Sequence, residues 1–240
     1  MKNKYIFTRF GVVAIYLLNV ALFAQVEIRE PSKPATTVKI MNTSTAPQAI
    51  VVRVNGTCEW SEDGTHFQAA KAGEVFTEGV TLRTAANSRL DMFFRRIGTS
   101  VRLQEGTEVK LEKLERHMKE GTPQMETLLD LRAGRIFTVV RSLVPGCTFE
   151  IRNAAGRSVV EGGGAEGRYI VTADGTHVTE KKSTAPLKVI RETGVTVIAP
   201  GMRYDAKDGK TFSVSTPEAV KSLIDFDELH SLIEQESAKN

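Results

Sequence analysis

Cysteine is scarce in this chain, with two in 240 residues, too few for a disulfide-dense scaffold. Neither Cys58 nor Cys147 belongs to a Cys-x-x-Cys pair, which leaves a zinc ribbon or a thioredoxin-like redox site without its ligands. Histidine is scarce too: His66, His117, His177 and His230 form neither His-x-x-x-His nor His-Glu-x-x-His, so no metal ligand set is expected. There is no Gly-x-Ser-x-Gly elbow to present a nucleophilic serine, and nothing singles out one pair among the 29 acids for glycoside hydrolysis. An excess of charge is also missing. The 32 Lys and Arg exceed the 29 Asp and Glu by three, and Lys2, Lys4 and Arg9 stand in an N-terminal segment without an acid, so the remainder sums to zero. A bulk basic field for nucleic acid is not expected, nor is any catalytic, metal-binding or cofactor-binding residue, and no cofactor is implied.

Apolar runs long enough to cross a bilayer are absent as well. The longest, residues 10–24, has 15 residues, whereas a comfortable span takes roughly 18 to 20. With a basic start before it and Ala24 followed by polar Gln25, it has the pattern of a secretory signal peptide over residues 1–24; an uncleaved anchor is the alternative. No cysteine follows the run, so a lipoprotein is not indicated, and the last residues bring no second hydrophobic stretch. The expectation is a soluble exported protein, periplasmic or extracellular, with no transmembrane segment after cleavage. Export places Cys58 and Cys147 in an oxidising compartment, where two thiols with no other partner can pair. They are the candidate disulfide, which would close a loop of about 90 residues and contribute about 4 to 5 kcal/mol in the chain-entropy account. Two separate buried thiols are the alternative.

Residues 25–48 are rich in Pro, Thr and Ser and lack periodicity; they read as a spacer. Order is expected from Ala49, where Ile50, Val52 and Val54 alternate ahead of the turn signal Asn55-Gly56. Short strand-like runs then recur about every 8 to 12 residues, from Glu59-Trp60-Ser61 through Leu90-Asp91-Met92-Phe93 and Arg135-Ile136-Phe137 to Val195-Thr196-Val197-Ile198, with glycines between them. No long amphipathic helix interrupts residues 49–214, so an all-β domain is expected there, a sandwich or a β-solenoid. Residues 110–120 (KLEKLERHMKE) place Leu111, Leu114 and Met118 at helical spacing, but read as a strand end running into a charged hairpin that closes at Gly121-Thr122-Pro123. Helix is expected only over residues 215–240. Thr216 can cap, Pro217 suits the first helical position, and Val220, Leu223 and Ile224 form one face. Asp225 with Glu228 resembles a second helix start, followed by Leu229, Leu232 and Ile233. This tail either packs on the β domain or binds a partner, with those six apolar residues as the candidate contact.

Several patterns have a chemical and a plain interpretation. Gly162-Gly163-Gly164-Ala165-Glu166-Gly167 satisfies G-x-G-x-x-G, yet a strand rather than a helix follows, so no helix N-terminus meets a phosphate. Asp225, Asp227, Glu228 and His230 cluster as a weak cation site would, but acids also favour helix starts. Arg95-Arg96 suits a solvated hairpin edge. Trp60, the lone tryptophan, serves either as a core anchor or as a sugar platform. Asn42-Thr43-Ser44 and Asn55-Gly56-Thr57 are glycosylation sequons only in a eukaryotic secretory pathway.

Val54-x-Gly56, Trp60, Gly73-Glu74-x-x-x-Glu78-Gly79-Val80-x-Leu82-x-Thr84, Ser88-x-Leu90 and Gly106-Thr107 resemble the start of the FecR domain family. Leu131-x-x-Gly134-Arg135-Ile136, Phe149-Glu150-Ile151 and Ala199-Pro200-Gly201 continue the likeness, over roughly residues 49 to 205. The order at Glu166-Gly167-Arg168-Tyr169-Ile170-Val171 departs from the family's Arg-Gly-Thr segment. The resemblance implies a noncatalytic exported β domain that senses or engages an envelope protein. With nine residues before the apolar run, the family's cytoplasmic sigma-binding part is not expected on this chain. Two other classes are carried beside it: a carbohydrate or cell-wall module stacking sugars on Trp60, Phe67 or Tyr204, and a secreted hydrolase, which requires a concave cluster of acids or His.

Overall fold

A computed structural model describes residues 47–141 and 143–238. The expected signal segment, and all but the last two residues of the expected spacer, lie outside the described residues. Eighteen strands and one helix follow in order: β1 (Ala49–Asn55), β2 (Cys58–Ser61), β3 (Gln68–Ala69), β4 (Val75–Phe76), β5 (Thr81–Thr84), β6 (Arg89–Phe94), β7 (Thr99–Leu103), β8 (Glu108–Lys119), β9 (Thr122–Ala133), β10 (Arg135–Val140), β11 (Thr148–Asn153), β12 (Gly156–Glu161), β13 (Gly167–Thr172), β14 (Thr176–Thr179), β15 (Leu187–Arg191), β16 (Gly194–Ile198), β17 (Met202–Asp205), β18 (Lys210–Ser213) and α1 (Thr216–Ser237). The expected all-β architecture is present, with one C-terminal helix.

The strands form two nine-stranded sheets, in the orders β18-β17-β14-β13-β10-β7-β6-β1-β4 (sheet A) and β16-β15-β12-β11-β9-β8-β5-β2-β3 (sheet B). From β5 onward the chain lays one or two strands in one sheet and then crosses to the other, so both sheets grow in the same direction. The two expected architectures thus merge: a solenoid-like winding builds an open two-layer sandwich. Pairing is antiparallel throughout except between β9 and β11, where the excursion through β10 in the opposite sheet returns the chain in parallel.

Between the sheets, Leu90, Met92, Phe94 and Leu103 of sheet A pack against Leu82, Leu111, Leu129 and Phe149 of sheet B. The Phe94 and Phe149 rings meet edge on at 6.2 Å. Sheet B keeps its other face open, where alternate residues form ion pairs across strands: Lys113 with Glu126 (2.6 Å), Arg152 with Asp130 (3.0 Å) and Arg157 with Glu150 (3.0 Å). Sheet A is buried on both faces at β6, β7 and β10, which is why β6 and β10 carry apolar residues on both faces rather than in alternation, while β7 buries Thr99, Ser100 and Arg102 as well. Its second cover is α1, whose Phe226, Leu229, Leu232 and Ile233 pack on Phe93, Phe137, Val139 and Ile170.

The charged stretch at residues 110–120 is the outer half of the β8–β9 hairpin, as expected. Its turn places Glu120 at φ 51° and Gly121 at φ 78°, the two positive angles of a tight hairpin turn. The C-terminal helix differs from expectation: it is one continuous element, with Ser215 rather than Thr216 at the cap position. Asp225 and Glu228 do not begin a second helix because both carboxylates accept hydrogen bonds from Arg102 beneath them.

Candidate functional site

The helix is held on sheet A by charge as well as by apolar contact. Arg102 of β7 is fully buried, and its guanidinium donates to both oxygens of buried Asp91 (Nε to Oδ1 2.7 Å, Nη2 to Oδ2 2.9 Å), to Asp225 (2.5 Å) and to Glu228 (2.7 Å). Burial alone would lower the Arg102 pKa, but Asp91, Asp225 and Glu228 outweigh it and hold the group above its ordinary value. Glu228 is pushed up by burial and pulled further down by Arg102, Arg89 and Arg53, so its carboxyl titrates below the usual range. A second clamp joins Arg168 of β13 to Asp227 (3.0 Å) and Glu166 (3.1 Å), with His230 3.4 Å from Glu166. The cluster Asp225, Asp227, Glu228 and His230 is therefore directed at Arg102, Arg168 and Glu166. Among the described residues, no group of three His, Cys, Asp or Glu side chains is arranged to hold a metal ion.

The six apolar residues proposed for a partner-binding tail divide in two, and the larger share is corrected by the structure. Leu229, Leu232 and Ile233 are buried against sheet A of the same chain, and Leu223 is half-buried. Val220 (58% exposed) and Ile224 (68%) face away. At about 100° per residue, Ile224 points nearly opposite Phe226, so one helix cannot present all six to a partner.

The candidate disulfide is also corrected. Cys58 and Cys147 are free and buried. Cys58 begins β2 and Cys147 immediately precedes β11, and β5, β8 and β9 lie between those strands in sheet B. Four strand spacings amount to roughly 19 Å, far beyond the reach of a disulfide. Each sulfur is used locally: Cys58 Sγ donates to the Arg89 carbonyl (3.4 Å), and Cys147 Sγ accepts from the Met125 amide (3.3 Å). Burial pushes the Cys58 thiol up from its ordinary value, which suppresses thiolate chemistry.

The glycine run is tied down. The amides of Gly162, Gly163 and Gly164 donate to the carbonyls of Cys147 (2.9 Å), Leu143 (3.0 Å) and Leu143 (3.3 Å) respectively, so those donors are already committed to protein carbonyls. A Cβ on Gly162 would sit 1.9 Å from the Val144 carbonyl oxygen, which explains glycine there. His177 stacks between the sheets with Ser158 Oγ 2.7 Å from its Nδ1. Both residues are buried, and His177 Nε2 has no hydrogen-bond partner among the described residues. Burial lowers the His177 pKa to about 4.

Of the three rings considered as sugar platforms, Tyr204 is covered, and Trp60 and Phe67 are half-buried against neighbours. Tyr204 is buried, and its hydroxyl accepts from Arg191 (2.8 Å). Trp60 leans on Phe76 with centroids 5.0 Å apart, and the Arg83 guanidinium lies 3.7 Å over the Phe67 ring.

What remains open is an edge. The two sheets end in four edge strands, of which β3 and β4 have two residues each and β18 (KTFS) carries Lys210. Short length and an edge lysine are the usual protections against unwanted strand pairing. β16 (GVTVI) has neither: it runs for five residues without charge or proline, and among the described residues no strand pairs with its outer side. Its register with β15 sets Val197 opposite Lys188 and Val195 opposite Ile190, on the outer face of sheet B. Val195 and Val197 are 61% and 56% exposed, while Thr196 turns toward the core side. The surface that is charged along β8 to β11 therefore ends in an apolar strip on an open edge. Sequence pattern finds this strand but not its exposure, because the alternation Val-Thr-Val-Ile would ordinarily put the valines inside.

No family model matches the chain, and no curated protein matches it. Among solved structures it is similar to a proposed anti-sigma factor from Parabacteroides distasonis ATCC 8503, at 14% identity and a TM-score of 0.41, over 56% of this chain and 59% of that one. A likeness of that size assigns neither family nor activity. By its own architecture the chain belongs to the all-β class, as an open two-sheet domain with a docked C-terminal helix. Among the described residues no helix is long and apolar enough to cross a membrane.

Proposed function

We infer that this chain is a noncatalytic, exported interaction module of the bacterial envelope that engages a partner protein by taking an extended segment of it along β16. The observation that carries this is the uncharged, unpaired five-residue edge with Val195 and Val197 more than half exposed. Such an edge offers backbone donors and acceptors in register, and alternate side chains for specificity. On the same outer face half-buried Ile190 pairs with Val195, while Val197 pairs with Lys188, which pairs in turn with buried Val159. The basic start and apolar run of residues 1–24 support export, and the FecR-like positions support an envelope interaction role.

The test is a crosslinked pull-down from native envelope with the chain from Gln25 onward, comparing wild type with Val197→Lys. Val197 is exposed, so the substitution leaves the fold intact while placing charge on the edge. The same protein partner captured by wild type and lost from the variant is the expected result. Equal capture by both, or recovery of glycan without protein, contradicts it.

A further inference from the structure

The outer face of sheet A is only partly covered by α1. Toward the helix N-terminus the two part and leave a cleft of about 380 Å³, within the size range of small-molecule sites. Strand register lays out its floor. Phe137 pairs with Ile170, Ile170 with Val178, and Val178 with Arg203, so an apolar row crosses three strands and ends at a cation. Beside it, Arg135 pairs with Thr172 and heads a polar row. The roof is the first turns of α1, with Lys221 and Ser222. Past Ile170, Val178 and Ser222 lies a second space of about 70 Å³, lined by Val214, Ala219 and Phe226.

The charges of the cleft are unevenly satisfied. Asp225 accepts from Arg102 at 2.5 Å, Glu105 accepts the Asn87 amide at 2.8 Å, and Glu218 lies 3.7 Å from Arg203. Each acid thus has a partner. Among the described residues, no hydrogen bond or ion pair engages the side chain of Arg135 or of Lys221, and the Arg135 guanidinium lies 5.5 Å from the Phe137 ring centroid. An unpaired guanidinium at the head of an apolar floor matches an anion with an apolar body. The nearby Glu105 and Glu218 favour one negative charge over two.

We propose that the cleft beneath the first turns of α1 binds a small amphiphilic carboxylate, its head group on Arg135 and Lys221 and its aliphatic or aromatic body along Phe137, Ile170 and Val178. Guanidinium and carboxylate match as a bidentate pair. A ligand there touches sheet and helix together, so it stabilises the docked helix by mass action. This site is separate from the β16 edge, and neither depends on the other.

Calorimetric titration of the chain from Gln25 onward with octanoate, octanol and octylamine tests the proposal. Octanoate is expected to bind saturably at one site, with octanol about tenfold weaker or more and octylamine weaker than octanol. Arg135→Ala should weaken octanoate about tenfold or more and change the melting temperature of the free protein little, because the exposed guanidinium has no ion pair and only a distant contact with the Phe137 ring. Ser222→Leu, which fills the passage between the two spaces without changing charge, should also weaken octanoate. Octanoate binding unaffected by Arg135→Ala, equal binding of octanol, or no saturable binding at millimolar octanoate would each overturn it.

Discussion

Arg102 and Asp91 are both fully buried in sheet A; Arg102 compensates the Asp91 charge and also takes Asp225 and Glu228 from the helix. Replacing Arg102 by Met leaves Asp91 with a dehydrated carboxylate and should cost about 3 to 5 kcal/mol. The double replacement Arg102→Met with Asp91→Leu removes the buried acid and leaves only the partly exposed Asp225 and Glu228 without Arg102, so it should recover part of that loss, a difference that denaturant melts of the three proteins measure. His177 gives a pH-dependent counterpart. Its folded pKa is lowered to about 4 from an ordinary 6.5, so the unfolded chain binds a proton that the folded chain refuses. Stability is therefore intact above about pH 6.5 and falls by about 1.4 kcal/mol per pH unit below it, reaching about 3 kcal/mol near pH 4. His66 acts with the opposite sign, since Asp63 raises its pKa, but it is common to wild type and variant and cancels in their difference. The carboxylates held low, such as Asp130 and Glu126, lose their contribution as pH falls below their own ordinary values. His177→Gln, which keeps a hydrogen-bonding group beside Ser158, should flatten the difference in stability between about pH 7 and about pH 5, read by urea melts at both.

At the scale of the element, α1 is part of the core rather than an appendage. Phe226 is fully buried with its ring 5.3 Å from Phe137, so Phe226→Ala should destabilise the protein by about 3 to 5 kcal/mol. Ile224→Ala, on the open side, should stay within about 0.5 kcal/mol; thermal melts distinguish the two. Much of the strand content is legible in the sequence. Leu90-Asp91-Met92-Phe93 and Arg135-Ile136-Phe137 announce themselves by apolar and aromatic runs near turn residues, and residues 110–120 by the turn signal at Gly121 that closes the hairpin. Other strands are not: β14, β17 and β18 have four residues each and β12 has only Val159 and Val160 as apolar residues, and they become strands because a neighbouring strand supplies the pairing. The helix break expected at Asp225 fails for a related reason. Acids that look like a cap in isolation are ion-pair partners of an arginine more than a hundred residues earlier, and sequence spacing carries no sign of that contact. The proposed bridge between Cys58 and Cys147 fails because thiol count does not encode sheet order.

At the scale of the whole molecule, two sheets growing side by side bury a continuous core but leave edges at both ends. The early end is protected by two-residue strands, and β18 at the late end carries a lysine. β16 is left open, and its exposed valines were invisible in the sequence because only its register with β15 sets which face they take. The central claim, that β16 is the contact for an extended segment of another protein, is tested most directly by a photo-crosslinking residue placed at Val197 in one preparation and at Ile224 in another, exposed to native envelope. The account predicts one dominant protein adduct from position 197 and none from position 224. Adducts from 224 alone, or none from 197, would contradict it.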